Sequence, residues 1–512
     1  MAPVMQPDGG VPTLAGHRAG TLAGTLCVLI VAVFYLLTIR QGHDWGDDFS
    51  QYIQHAVNVA HGTPYTETRY LYNPDNPSIG PRQYPPGFPV ALAPVVRVFG
   101  LDLQPMKVEE VLFFVAALLL IHRLIQPLMP PAAGAAVVLA VGLNPYFWDF
   151  KDQVLSDLPF LFFFFATLLC VTRAHEAERS ARLRGVLSVL GGFAMYASYA
   201  TRVIGIVLLP TLIVSDFIRH RWLTKETLVA IGTFTVLAAL QYLLLTRDTS
   251  YTDLLAISAS VIVANVRSYA GWLAEIWANG YAPLPQKLLF LATMALALIG
   301  YVSLWRQPKA TLFAVAPLFY LTVIVVWPLA QDTRFLIPVI PIFLACTVLG
   351  ALSIDSAIAR RWRKSHLVVS VLFALVSFTY IARYSTLPFG RLQEGIGKPE
   401  SVQLFDFVKT STSRDDVIVF SRPRALSLFG ERTVTPPSRS TEPCDLWRYI
   451  RHVRAGYLVT GPGAANDEAK YLATFVRDFA PNLREVMRNA DVAIYRVESA
   501  PATCVEVPRV NR

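Results

Sequence analysis

GVLSVLGGFAMYASYATRVIGIVLLPTLIVSDFI (185–218) is a long apolar stretch interrupted by Arg202. The placement of that arginine decides the topology of the chain. As one long tilted helix, the stretch would bury Arg202 near the bilayer centre at a cost of at least ~2.5–3.5 kcal/mol. It would also reverse the sidedness of everything downstream. As two helices, 185–201 and 203–218, meeting at the outer surface with Arg202 at the turn, the chain avoids that cost.

The segments on either side favour the second choice. A bilayer-spanning helix takes roughly 20 mostly apolar residues, and such stretches recur from residue 21 to residue 384 and then stop. With the break at Arg202, the candidate spans are 21–39, 107–126, 131–148, 157–173, 185–201, 203–218, 227–245, 287–305, 310–327, 336–353 and 367–384, about eleven in all. Alternate links are basic: Arg123; Arg173, Arg179, Arg182 and Arg184; Arg219, Arg221 and Lys225; Arg306 and Lys309; Arg360, Arg361, Arg363 and Lys364. Cationic links mark the cytoplasmic side, and an odd number of spans puts the N-terminus inside and the C-terminus outside. No A-x-A-like cleavage site follows the first apolar run, which reads as a retained helix. The expected organisation is a cytoplasmic N-terminus (1–20), a transmembrane region (21–384) and an extracytoplasmic tail (385–512), in a multi-pass protein of the cytoplasmic (inner) membrane.

Composition agrees with a membrane protein. Hydrophobic residues make up 54% of the chain and charged residues 16%, against about 25% charged in soluble proteins. The formal net charge of +9 lies in short links and not along one amphipathic face, which argues against a nucleic-acid partner.

The opposite links are long: 41–106, 246–286 and the tail. In the tail, DVIVF (416–420), AGYLVT (455–460) and DVAIYRV (491–497) read as strands, and CDLWRYIRHVR (444–454) and DEAKYLATFVRDFA (467–480) as amphipathic helices. A small α/β domain is expected there. GPG (461–463) lacks the following Gly and Lys of a phosphate loop and reads as a turn. Cys27, Cys170 and Cys346 fall in spans as small apolar residues. Cys444 and Cys504 fall in the tail, where a disulfide between them is open. No Cys/His spacing marks a zinc site.

Loop 41–106 carries the chemistry. It opens with WGDDFSQYIQHAVNVAHG (45–62), an amphipathic helix with Asp47 and Asp48 at its start and an apolar face of Ile53, Ala56, Val57 and Ala60 suited to a membrane surface. Helix capping is the plain alternative for both acids. The loop closes with QYPPGFPVALAPVVRVFG (83–100).

Asp48, Tyr52, Ala56 and Gly62, followed by Tyr84-Pro85-Pro86-Gly87-Phe88-Pro89, resemble the first outer loop of GT-C glycosyltransferases. The likeness is to the bacterial branch near family 39, with protein O-mannosyltransferases and the lipid A aminoarabinose transferase. SDLPFLFFF (156–164) resembles that family's second acidic site, ATRVIGIVLLP (200–210) its threonine-arginine turn, and DTRFLIPVIP (332–341) its late Arg-aromatic-Leu segment. The resemblance implies inverting transfer of a hexosyl or pentosyl group from a polyprenyl-phosphate-linked sugar to an envelope acceptor (protein, lipid or glycan).

Glycosyl transfer to a hydroxyl needs a base, for which Asp48 is the candidate; Asp47 is the alternative if the register shifts by one. Arg202 and Arg334, at the outer ends of spans, are candidates for the carrier phosphate, and Tyr52 and Tyr84 for the substrate loop. The plain alternatives are snorkelling or a pair with Asp332 for Arg334, and an N-cap for Asp157. Asp157 would orient the acceptor or tune the base. Asp149 and Asp152 share its loop, and three carboxylates suit a divalent cation. The resemblance to monophosphate-carrier enzymes nevertheless implies no required metal, and no cofactor is expected. A transporter and a non-catalytic envelope-assembly partner are the rival classes. Acids gathered in loops, away from the midplane, weigh against transport.

Overall fold

The computed structural model describes residues 14–177, 180–245, 258–328, 330, 332–362, 366–438, 442–461, 466–499, 501 and 504. Residues before Leu14, the basic residues Arg179, Arg363 and Lys364, and Pro462 and Gly463 of the expected turn lie outside them. The helical part runs α1 (Leu14–Leu37), α2 (Asp48–His61), α3 (Gly87–Phe99), α4 (Leu103–Ile125), α5 (Pro131–Gly142), α6 (Pro145–Phe150), α7 (Asp157–Glu176), α8 (Ala181–Thr201), α9 (Leu208–His220), α10 (Lys225–Leu244), α11 (Ala259–Glu275), α12 (Pro283–Trp305), α13 (Thr311–Val326), α14 (Val339–Trp362) and α15 (Leu367–Tyr384).

Among the described residues, eight helices are long and apolar enough to cross a bilayer. Large apolar side chains on them, such as Leu37, Leu244, Phe378 and Ile381, point outward with at least 70% of their surface exposed. Surface of that kind belongs against lipid. The chain is a polytopic membrane protein.

Two departures from the expected spans have local causes. The stretch 131–148 is not one helix: α5 ends at Gly142 and α6 restarts at Pro145. Asn144 makes the break, its Oδ1 accepting from the Tyr146 N–H (3.0 Å) and its Nδ2 donating to the Tyr380 hydroxyl (2.8 Å). Asn before a helix-opening Pro is a start signal. Nor does α2 lie along a membrane with one face free. Its apolar Ile53 and Ala56 are buried, and so are Gln51, Gln54, His55 and Asn58 of its polar face. Loop residues cover that polar face, where the Asn58 side chain donates to the carbonyls of Pro64 and Glu67.

The tail forms α16 (Pro399–Ser411), β1 (Val417–Val419), α17 (Pro423–Gly430), β2 (Thr433–Thr435), α18 (Pro443–His452), β3 (Ala455–Thr460), α19 (Asn466–Asp478), β4 (Leu483–Arg488) and β5 (Ala493–Val497). The sheet order is β2-β1-β3-β5-β4, with β2, β1 and β3 parallel and the β3–β5 and β5–β4 pairs antiparallel. Cys444 and Cys504 are bridged. The sheet does not stand apart from the first loop. Leu71 N donates to Val434 O (2.9 Å) and Val434 N to Arg69 O (3.0 Å), so the loop extends the β2 edge. Asn73 and Asn76 then donate to the carbonyls of Pro436 and Pro437.

Candidate active site

Arg334 is the hub of the site. It lies two residues after Asp332, whose backbone takes φ +24°, a strained value that neighbouring contacts must hold in place. The Asp332 side chain accepts from the Arg334 backbone N–H at 2.8 Å. The guanidinium itself ignores Asp332. Its Nε donates to Asp157 Oδ2 and its Nη1 to Asp48 Oδ2, both at 2.8 Å. Residues 48, 157 and 334, far apart in sequence, therefore share one ion-pair cluster. The other oxygen of Asp157 accepts from Arg202 Nη1, and Arg202 lies against the Phe335 ring, 5.1 Å from its centroid.

The turn that presents Arg202 depends on two glycines. Arg202 is extended (φ −144°, ψ 128°) between α8 and the one-turn helix Val203–Val207. A Cβ at Gly205 would lie 2.6 Å from the Ser198 carbonyl carbon, and one at Gly87 would lie 2.7 Å from Thr201 N. The YPPG segment thus presses its backbone onto the end of α8 directly before Arg202. In the same segment Tyr84 donates its hydroxyl to Asp48 Oδ1 at 2.5 Å. His55 fixes the Tyr84 backbone by accepting from its N–H at 3.2 Å, while Nδ1 lies 2.8 Å from Tyr65 O. Burial lowers the pKa of His55 to about 3, so the neutral ring with its proton on Nδ1 satisfies both contacts. Tyr52 shares a hydrogen bond with Ser156 (2.8 Å) and its ring stands 4.8 Å from that of Tyr84.

The tail supplies an arginine that sequence reasoning missed. Arg424, fully buried on α17, donates from Nη1 to Asp48 Oδ1 (3.0 Å) and to the Tyr84 hydroxyl (2.5 Å). Its guanidinium is sandwiched by Tyr70 and Tyr84, with centroids at 4.9 and 4.8 Å. Asp47 points to the same helix: its Oδ1 accepts from the backbone N–H groups of Arg424 and Ala425, both at 3.1 Å. Neither aspartate caps α2 with its side chain. Asp47 caps α17 instead, and Asp48 meets the arginines.

These surroundings separate two adjacent carboxylates. Burial pushes Asp47 up to about 6, against the opposing pull of Arg424. Burial would raise Asp48 as well, but Arg334, Arg424 and the Tyr84 hydroxyl together outweigh it and hold its carboxyl well below the usual carboxylate range. Asp48 is 33% exposed, Arg334 17% and Asp157 2%. A cavity of about 520 Å³ opens on the exposed pair, with Tyr146, Asp149, Glu275, Thr333 and Arg422 on its wall. Asp157 and Arg202 stand behind Arg334. Asp149 and Asp152 do not join Asp157: Asp152 is committed to Arg40 Nε (2.6 Å) and Lys151 Nζ (2.8 Å), and Asp149 to Arg40 Nη2 (2.7 Å).

The family described as dolichyl-phosphate-mannose-protein mannosyltransferase matches residues 83–245, a segment that takes in Tyr84, Asp157 and Arg202. No curated protein matches the chain in sequence. Among solved structures, ArnT from Cupriavidus metallidurans bound to undecaprenyl phosphate is 14% identical, with 92% of this chain and 97% of that one covered and a TM-score of 0.56. The Archaeoglobus fulgidus oligosaccharyltransferase AglB, in complex with an inhibitory peptide and a dolichol-phosphate, is 11% identical, with 94% and 74% covered and a TM-score of 0.57. The same archaeal enzyme tethered to an acceptor peptide is 12% identical, with 95% and 74% covered and a TM-score of 0.58. Identities this low speak to architecture: the chain has the fold of the GT-C glycosyltransferases.

Proposed function

We propose that this protein is a glycosyltransferase that moves a sugar from a polyprenyl-phosphate carrier to an envelope acceptor at the outer face of the cytoplasmic membrane. The observation that carries the proposal is the cavity on which Asp48 and Arg334 open together, a carboxylate and a guanidinium in direct contact. Both similar enzymes named above were solved with a polyprenyl phosphate bound, which supports the choice of donor. The Cys444–Cys504 bridge supports an oxidising location for residues 385–512, outside the membrane that residues 21–384 cross, with the N-terminus inside.

Within the ion-pair cluster itself, Asp47, Asp48 and Asp157 balance Arg202, Arg334 and Arg424 in formal charge. A phosphate entering from the cavity would therefore compete with a carboxylate for Arg334. Asp157, buried between two arginines, positions them and stays in place. Asp48, at the cavity wall, is the one that yields. Relieved of Arg334, it keeps Arg424 and Tyr84 but recovers proton affinity, because burial is then less opposed. The acceptor hydroxyl attacks the anomeric carbon as the bond to the carrier phosphate breaks, with inversion, and Asp48 takes the hydroxyl proton. Arg334, with Arg202 behind it, stabilises the charge that builds on the departing phosphate. Donor binding thereby converts a resting counter-ion into a base.

The test uses the chain in lipid nanodiscs with radiolabelled polyprenyl-phosphate sugars and envelope extract as acceptor. Transfer, with release of polyprenyl phosphate, is expected for at least one sugar and lost in Asp48→Asn. A protein that binds polyprenyl phosphate but transfers nothing from any donor would overturn the proposal. Mass spectrometry of envelope glycans from a deletion strain would identify the acceptor.

A further inference from the structure

The end of α7 opposite Asp157 carries a second constellation that the transfer reaction does not use. His175 lies 18 positions beyond Asp157, so the two ends of this helix are about 27 Å apart at 1.5 Å per residue. Asp216 and His220 stand one turn apart on α9 and project from one face of it. One ligand atom from each of His175, Asp216 and His220 lies within 4.8 Å of the other two. We propose that these three residues bind a divalent first-row transition metal ion, Zn²⁺ in the first instance, in a structural site that ties the end of α7 to the end of α9.

The donor set suits such an ion. Two imidazoles and a carboxylate match zinc and its neighbours, whereas a calcium or magnesium site would be built from oxygen. The geometry is close to ready. Metal–nitrogen bonds of ~2.0–2.1 Å in a tetrahedron place ligand atoms roughly 3.3 Å apart. His175 Nε2 and Asp216 Oδ1 already stand 3.4 Å apart, and one ligand atom of each of the three residues lies within 4.8 Å of the others.

Asp216 is held for this role. Its Oδ2 accepts from both the backbone N–H and the hydroxyl of Thr224, at 2.7 and 2.8 Å, leaving Oδ1 turned toward His175. Fixing one carboxylate oxygen so that the other faces an ion is the usual job of groups just outside a metal's ligands. Thr224, the N-cap of α10, accepts from His175 Nε2 at 3.0 Å, a hydrogen bond that an ion bound to that nitrogen would replace. A filled site would therefore connect three helices at one end of the bundle.

The site also accounts for one polar atom that hydrogen bonding leaves unused, His220 Nε2. His220 Nε2 and His175 Nδ1 are both buried without a hydrogen-bond partner, and the His175 side chain is 5% exposed. Buried polar atoms of this kind call for a reason. A cation bound to His220 supplies a partner for its nitrogen.

The experiment uses the full chain, purified in detergent without a histidine tag, stripped with EDTA and titrated with ZnCl₂. Elemental analysis should find one equivalent of zinc per chain. The thermal midpoint should rise by roughly 2–3 °C when free zinc exceeds Kd a hundredfold. X-ray absorption at the zinc edge should show two imidazoles with oxygen ligands. His175→Ala and His220→Ala should each lose the bound equivalent and the thermal shift, while His61→Ala, an exposed histidine on α2, should keep both. Absence of a bound equivalent in the wild-type chain, a zinc spectrum without imidazole, or undiminished binding in His220→Ala would overturn the proposal. The wild-type spectrum decides the matter even if a variant fails to insert.

Discussion

Asp48→Asn separates a proton acceptor from a structural counter-ion. Asparagine keeps the shape, and its carbonyl still accepts from the Tyr84 hydroxyl and Arg424 Nη1, the donors to Asp48 Oδ1. What disappears is the negative charge facing Arg334 and the basicity. Arg334 retains Asp157 at 2.8 Å and Arg424 retains Asp47. Asp48 is a third exposed, so solvent screens part of the lost charge, but Arg424 is fully buried and the stability cost should be about 1–3 kcal/mol. Turnover should nevertheless fall by roughly 10²–10⁴, the contribution of a positioned base, or ~2.7–5.5 kcal/mol in the barrier. Donor KM should hold or drop, since Arg334 no longer has to leave a carboxylate to meet phosphate. The assay is initial-rate transfer from a polyprenyl-phosphate sugar in nanodiscs, with the thermal midpoint read on the same preparation. A variant whose kcat stays within a few-fold of wild type would refute the base assignment. If Asp47→Asn is inactive instead while Asp48→Asn works, the base is the preceding residue.

Other expectations follow from neighbouring contacts. Arg334→Ala and Arg202→Ala should each weaken use of the lipid-phosphate donor roughly tenfold to a hundredfold, as expected for a charged hydrogen-bond partner worth about 1.5–3 kcal/mol; unchanged donor kinetics would remove them from the site. Asp47, raised by burial to about 6 from an unfolded value near 3.9, binds its proton more tightly in the folded chain. Its contribution to stability is therefore greatest below pH 4 and declines as pH rises through 6, by up to about 3 kcal/mol. Asp47→Asn should flatten that part of the thermal-midpoint profile, and an unaltered slope would assign it elsewhere. Cys444 and Cys504 should resist maleimide labelling until reduced, and Cys444→Ser with Cys504→Ser should destabilise the tail by ~2–4 kcal/mol; labelling without reductant would contradict the bridge. An alkaline phosphatase fusion after residue 395 should be active, and an inactive one would invert the proposed orientation.

The membrane architecture was legible because its signals are local. Apolar length, basic links and the cost of burying Arg202 placed a break that the structure has at that residue. The span 131–148 misled because Asn144 and Pro145 lie inside an otherwise apolar run, where a two-residue break barely changes average hydropathy. In the tail the longer strands were readable. β2, three residues long, and β4, whose pattern LREVMR carries three charges, offer little alternation to detect. The residues nominated for the site were found by type and by resemblance, and they do converge: Asp48, Asp157, Arg202, Arg334 and Tyr84 share one network. Arg424 escaped notice because nothing in RPRALSLFG marks it, and because reading the tail as a separate domain gave no reason to look there for a partner to residue 48. The division of labour between Asp47 and Asp48 was equally invisible. Identical side chains on adjacent residues differ only in what other segments bring to them.

The dipeptide Asp47-Asp48 also limits how this protein can be re-engineered. One carboxylate grips the start of α17 and the next receives the Arg424 guanidinium, so the tail is keyed to the loop through this dipeptide and is not an interchangeable module. A chimera carrying another protein's tail would leave Asp47 buried opposite nothing and Asp48 short of a cation. It should insert normally and yet be silent, unless the graft restores an arginine at the equivalent helix start. Screening tail libraries for recovered activity would then select for that arginine before any residue of the sheet.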